Sequence, residues 1–281
     1  MKKILALILA GLMLFSFAAC GGNTDSETTT QAPGETTEVP NNEAKETVVV
    51  GYTIYEPMNY KDESGKLVGF DTELAEAVFA NLGYEVIFQE IEWSSKYTDL
   101  NSGTIDCVWN GFTANTADDD GVLRAEKVDF SYNYMENRQV VVVKADAGIA
   151  AAADLNGKMG VAESGSAGEE YAKSFEGTAF KGFIKQTDCL MEIKSGSADF
   201  AVVDAQLAKS YVGKGDYADL AIIDDLSSDV EFYAIGFKKG SELTANVNAQ
   251  LEALAADGTI AALAEKYGVS NTAITDFSDQ K

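Results

Sequence analysis

Histidine is missing from all 281 residues, and the chain is short of three other things. It has three prolines, three cysteines, and 21 lysines and arginines against 45 acids. The missing histidine excludes Ser-His-Asp and Cys-His catalysis and any His-ligated zinc or haem. No cofactor or metal is expected. The scarcity of bases excludes nucleic acid as a partner, because phosphate binding needs a basic face. Cys107 and Cys189 each lie in an apolar context in a different half of the chain, which reads as two unpaired buried thiols. Long apolar runs are lacking too: the one candidate, residues 4–17, is too short to span a bilayer.

What surrounds that run is informative. Lys2 and Lys3 precede it, Ala18 and Ala19 follow it, and then comes Cys20 before Gly21 and Gly22. Residues 1–19 therefore read as a secretory signal with a cysteine just past the cleavage site. The arrangement resembles the bacterial lipobox, in which the cysteine is lipidated and becomes the mature N-terminus, with Phe17 where Leu is usual. A lipid anchor at Cys20 is expected, holding the mature protein at a membrane outside the cytoplasm. Residues 20–46 then contain no aromatic residue, six acids, one base and two of the three prolines, Pro33 and Pro40. Such a segment buries too little apolar surface to offset its conformational entropy, so it reads as a disordered acidic linker.

From Thr47 onward the pattern alternates between strand and helix. Residues 48–50 open a buried strand, and residues 62–66 form a hairpin tip. Asp71 or Thr72 is expected to cap a helix whose apolar face is Leu74, Ala75, Val78, Phe79 and Leu82, ending at Gly83. A strand over 84–91, a short helix from Ser94 or Ser95 to Gly103, and a strand over 105–109 follow. Alternation continues through 139–223, and helices over 241–257 and 260–267 close the chain. The fold class is α/β, with parallel sheets covered by helices.

Within it lies an internal echo: LNSGTIDCVW at 100–109 and IKSGSADFAV at 193–202. Each is a helix end, a Ser-Gly terminator, an aspartate and a buried strand. The first strand is expected to stop at Asn110-Gly111-Phe112-Thr113 and the second at Asp204. Two copies of one unit suggest two lobes built alike, with a ligand crevice beyond the carboxyl ends of their strands.

Further stretches carry a resemblance: YEPMNYKDESGKLVGFDTELAEAVFANLG (55–83), SGTIDCVWNGFT (102–113), VDFSYNYM (128–135), LNGKMGV (155–161), SGSADFAVVDA (195–205) and LEALAADGTIAALAEKYG (251–268). In this order and spacing they resemble the extracytoplasmic solute-binding proteins of polar amino-acid ABC importers, bacterial solute-binding protein family 3. The resemblance implies a two-lobed clamp of the periplasmic-binding-protein type II, with two crossing strands. Lobe 1 would span 47–136 and 233–281 and lobe 2 would span 139–226, with crossings near 136–138 and 227–232. The implied partners are a free amino acid, the importer's permease subunits and, through the anchor, the membrane. A monomer is implied, at the outer face of the cytoplasmic membrane or in the periplasm.

The resemblance also implies a site. Arg124 would fork the ligand's carboxylate and Asp204 would hold its ammonium. The competing readings are an exposed loop arginine among Asp118, Asp119 and Asp120, in a stretch (114–123) about six residues longer than usual, and a helix N-cap for Asp204. Thr113 would donate to the carboxylate and the Gly111 carbonyl, beside Asn110, would accept from the ammonium. Gly165, Ser166, Ala167 and Gly168, ahead of a helix opening at Glu169, would offer N–H groups. Tyr55 and Trp93 would form aromatic walls. Relatives that bind cationic amino acids tend to carry an acid where this chain has Tyr52, so an uncharged polar ligand such as glutamine or cystine is expected. Two rival readings stand beside the receptor: a dehydratase-like enzyme on the same fold, using Glu163 or Glu56 as acid or base, and a ligand-sensing surface lipoprotein.

Overall fold

A computed structural model describes residues 46–280. The signal at 1–19, Cys20 and all of the linker except Glu46 lie outside them. Two sheets organise the described residues. The first is ordered Glu85–Glu90, Thr47–Tyr52, Cys107–Thr113, Glu231–Phe237, Asp129–Phe130, and Met135–Asn137 also pairs with Glu231–Phe237. The second is ordered Ala179–Phe183, Met159–Glu163, Phe200–Asp204, Gln139–Lys144, Leu220–Ser227. The chain leaves the first sheet at Asn137 and returns at Glu231, so the two lobes are joined by two crossings.

Neither sheet is purely parallel, contrary to expectation. In each, three strands joined through helices run parallel, and the strands next to the crossings pair antiparallel. The reason is connectivity. A helix returns the chain to the same end of a sheet, whereas a crossing strand enters from the other lobe and runs the opposite way.

The echo is a repeated physical device. Gly103 and Gly196 both take left-handed φ, +77° and +79°, and end the helices Lys96–Ser102 and Gln186–Ser195. The aspartate three residues later then ties the new strand to its parallel neighbour. Asp106 accepts from the Val49 N–H at 2.7 Å and Asp199 accepts from the Met159 N–H at 2.8 Å. The backbone N–H of each aspartate bonds the carbonyl of the same neighbour, at 2.8 and 2.9 Å. Both lobes thus close their helix-to-strand turns with the same residues.

Local boundaries depart from the sequence reading in three places. The strand expected over 105–109 is Cys107–Thr113, so 110–113 continue it, with Thr113 opposite Tyr233. It continues through a bulge at Gly111, whose φ of +61° suits glycine. A Cβ there would meet the Tyr55 ring at 2.8 Å. The helix expected to be capped by Asp71 or Thr72 is Phe70–Asn81, with Gly69 as N-cap and no side-chain cap. Asp71 is instead buried, accepting from the Gly111 N–H at 2.9 Å and the Tyr134 hydroxyl at 2.8 Å. The helix expected at Glu169 opens two residues earlier, as Ala167–Lys173 with Ser166 as its side-chain cap. Cys107 and Cys189 are free and buried.

Asp106→Ala and Asp199→Ala each remove a charged acceptor from a strand N–H and should each lower stability by about 1–2 kcal/mol. Because the two sites sit in different sheets, the effects should add in the double variant. Urea unfolding midpoints measure this; unchanged midpoints would mean that solvent replaces the acceptors at no cost.

Candidate functional site

One narrow cavity gathers side chains from both lobes. From the first lobe come Trp93, Asn110, Gly111, Thr113 and Arg124; from the second come Gln139, Glu163, Ser166, Ala167, Gln186 and Asp204. Thr113, Glu163 and Asp204 are the last residues of their strands. The site therefore lies beyond the carboxyl ends of strands in both sheets, where helices and loops leave side chains free to converge.

Arg124 is buried, 1 % exposed, and not an exposed loop residue. The 114–123 stretch folds back as a tight loop, with Ala117 bridging Leu123 and the Arg124 N–H bonded to the Thr116 carbonyl. It brings Asp118 to the Arg124 Nε at 2.8 Å, while the two Nη atoms donate to the carbonyls of Thr113 and Gly165, both at 3.3 Å. Burial would raise the Asp118 carboxyl, but Arg124, Lys127 and the Tyr97 hydroxyl overcome it and hold it at about 2. Asp118 stays charged and orients the guanidinium.

Beside Arg124 lies Lys96, 2 % exposed, with Nζ 5.0 Å from the Trp93 ring centroid and 4.6 Å from that of Tyr97. It crosses the cleft to the Gly165 carbonyl at 2.9 Å. Burial, helped by Arg124, lowers its pKa to about 7.

On the opposite side, Asp204 is held by a fan of donors. Asn137 Nδ2 at 2.7 Å and Gln139 Nε2 at 2.6 Å reach Oδ1, and Gln186 Nε2 reaches Oδ2. Its carboxylate caps no helix N–H, so the N-cap alternative for the side chain is overturned. Glu231, at the second crossing, shares the same donors: Gln139 Nε2 at 2.9 Å, Asn137 Nδ2 at 3.3 Å and the Thr113 hydroxyl at 3.2 Å. Burial, then the Asp204 charge, pushes Glu231 up to about 7.

Tyr52, Tyr55 and Gly168 do not line the cavity. Tyr52 packs edge-on against Phe88, and Gly168 sits against the Gln139 side chain and the Val202 carbonyl. Tyr55, 2 % exposed, directs its hydroxyl to that of Tyr233 at 2.7 Å and buttresses Gly111. Thr113 donates to Glu231, and two of the four expected backbone donors have partners inside the protein: Gly165 N–H on the Glu169 carboxylate and Ser166 N–H on the Glu163 carbonyl. Sequence reading missed Gln139, Gln186, Glu231 and Lys96. Only Lys96 left a trace, a lysine on the helix face that also carries Leu100.

This geometry frames the comparisons with known proteins. The profile of the bacterial extracellular solute-binding proteins, family 3, matches residues 48–270. The chain belongs to this family. It is 32 % identical over 272 residues to the arginine-binding extracellular protein ArtP of Bacillus subtilis (strain 168), covering 95 % of this chain and 98 % of its relative. The L-cystine-binding protein TcyA of the same organism is 29 % identical over 271 residues, covering 95 % and 97 %. Among solved structures, an ancestral arginine-binding protein bound to arginine superposes with a TM-score of 0.72 at 34 % identity, covering 80 % of this chain and 99 % of that one. The two-lobed type II clamp is therefore the fold of this family member. Among the described residues no helix is long and apolar enough to cross a membrane.

Buried carboxyls around the site predict a pH dependence. Burial raises Asp71 from 3.8 and Glu231 from 4.5, each to about 7. Between those limits the folded chain keeps protons that the unfolded chain has released. The resulting stability is fully present below about pH 4 and is lost as pH rises toward 7. The protein should melt at a higher temperature at pH 5 than at pH 7.5, and Asp71→Asn or Glu231→Gln should flatten that difference. A melting temperature that rises over this interval would contradict it.

Proposed function

We propose that this protein is the ligand-capturing receptor of an amino-acid ABC importer, closing its two lobes on a free α-amino acid and delivering it to a membrane permease. The observation that carries this reading is Arg124 and Asp204, both buried, facing one cavity from opposite lobes. A guanidinium forks a carboxylate in two parallel hydrogen bonds, and a carboxylate across the cavity holds an ammonium. A ligand touching both lobes favours the closed state by its contacts to the second. The family and the arginine- and cystine-binding names of its relatives support the same reading. The protein acts as a receptor, not an enzyme. Of the two acids weighed as general acid or base, Glu56 lies outside the cavity beside Tyr211, and Glu163 has a binding role argued below.

The anchor belongs to the same proposal. Lipidated Cys20 and the linker to residue 46 hold the clamp outside the cytoplasm, at the outer membrane face or in the periplasm, where importers collect their cargo. It works as a monomer.

Calorimetry against the free amino acids tests the clamp. Arg124→Ala and Asp204→Ala each leave one ligand charge buried without its partner and should weaken binding by about two to four decades while the apo protein stays folded. N-acetylated and decarboxylated ligands should fail in parallel. If Arg124→Ala binds like the parent while Asp204→Ala does not, the carboxylate is held elsewhere. Turnover of a bound amino acid would favour the enzyme.

Cys20→Ser tests the anchor by detergent partitioning. The variant should move to the soluble fraction with binding intact, and membrane association that persists would remove the lipid from the account.

A further inference from the structure

Glu163 differs from every other buried acid around the cavity. It is the last residue of the strand Met159–Glu163, 4 % exposed, and it lines the cavity. Asp204 receives Asn137, Gln139 and Gln186; Glu231 receives Thr113, Asn137 and Gln139; Asp71 receives Gly111 and Tyr134. Among the described residues no donor hydrogen-bonds the Glu163 carboxyl. A cavity-lining carboxyl without a donor of its own is open to one from a ligand.

Charge points the same way. Of the charged side chains that line the cavity, Glu163 and Asp204 are the acids and Arg124 is the base. Lys96 is the cation that acts most strongly on Glu163, yet its Nζ is tied to the Gly165 carbonyl within its aromatic cage. A zwitterion satisfies Arg124 and Asp204 and adds no net charge. One acid remains in excess, and Glu163 is the one without donors.

We propose that Glu163 selects the ligand's side chain, and that it selects a cation: the guanidinium or ammonium end of a basic α-amino acid. This rests on the cavity being an amino-acid site. The expectation of an uncharged ligand came from Tyr52, on the first lobe and outside the cavity; Glu163 supplies an acid from the second. Burial and the Asp204 charge push its carboxyl up, Lys96 opposes them, and the weaker influences of Asp188 and Lys185 act in opposite senses. A cation at the carboxyl reverses that balance and favours the ionised form.

L-Arginine and L-citrulline, matched in shape but differing in charge, separate the possibilities by calorimetry on the whole protein. The parent should bind arginine about 100-fold more tightly than citrulline, and Glu163→Gln should bring that ratio close to one. Glu163→Asp, which keeps the charge, should restore part of the preference. If the parent binds citrulline or L-glutamine as tightly as arginine, the proposal is overturned and the receptor reading survives, a result that does not depend on any variant folding. A preference that persists in Glu163→Gln overturns it as well. If no free amino acid binds, the receptor reading fails, and this proposal with it.

Discussion

Two acids buried at the crossings constrain the whole molecule. Asp204 ends a strand of the second lobe, Glu231 begins the strand that returns to the first, and both are nearly excluded from water. Carboxylates in that setting must share protons or share donors. Here they do both: Gln139 and Asn137 each reach both acids, and burial with the Asp204 charge keeps a proton on Glu231 up to about pH 7. The junction between the lobes is therefore one polar network that also forms the wall of the cavity. Any movement of one lobe against the other changes how those acids are satisfied, so the joint and the site cannot be altered independently.

Arg124 shows how an irregular loop can orient a charge. A guanidinium can be buried only with its donors met. The 114–123 loop meets one through Asp118, the strand end meets another through the Thr113 carbonyl, and the second lobe meets a third through Gly165. The Phe112 ring lies 5.6 Å from the guanidinium carbon. The acids that read as a solvated run in sequence thus divide by role. Asp118 turns inward and is mostly buried, while Asp120 stays half-exposed on Lys127. Gly165 gathers bonds from both Arg124 and Lys96 and is one of the points where the first lobe grips the second.

The repeated Ser-Gly-x-x-Asp unit makes both lobes present their strand ends in the same way, and the ends then carry different chemistry. Thr113 finishes one echo strand and Asp204 the other. The scaffold repeats because ending a helix and pairing a strand are the same problem in each lobe. The side chains at the ends differ: Thr113 donates to Glu231, whereas Asp204 receives Asn137, Gln139 and Gln186.

Much of the fold was legible because it depends on near neighbours. Apolar spacing located the helices, glycines located their ends at Gly103 and Gly196, and the echo pointed to the strand ends that line the cavity. The mixed sheets were not legible, since strand direction depends on which lobe the chain enters from. The family pattern named Arg124, Asp204 and Trp93, which line the cavity, and Tyr55, which a partner 178 residues away turns into the core. Gln139, Gln186, Glu231 and Lys96 gave little sign of their place, because a glutamine or a lysine announces neither its burial nor its partner. What the sequence determined by itself is the order of elements and the excluded chemistries, which rest on composition and short-range pattern, and the family, which rests on a resemblance of motifs in their order and spacing. Which acids are buried, which donors they share and which one is left for a ligand were decided only by the tertiary structure, because desolvation and charge are set by whatever the fold packs alongside.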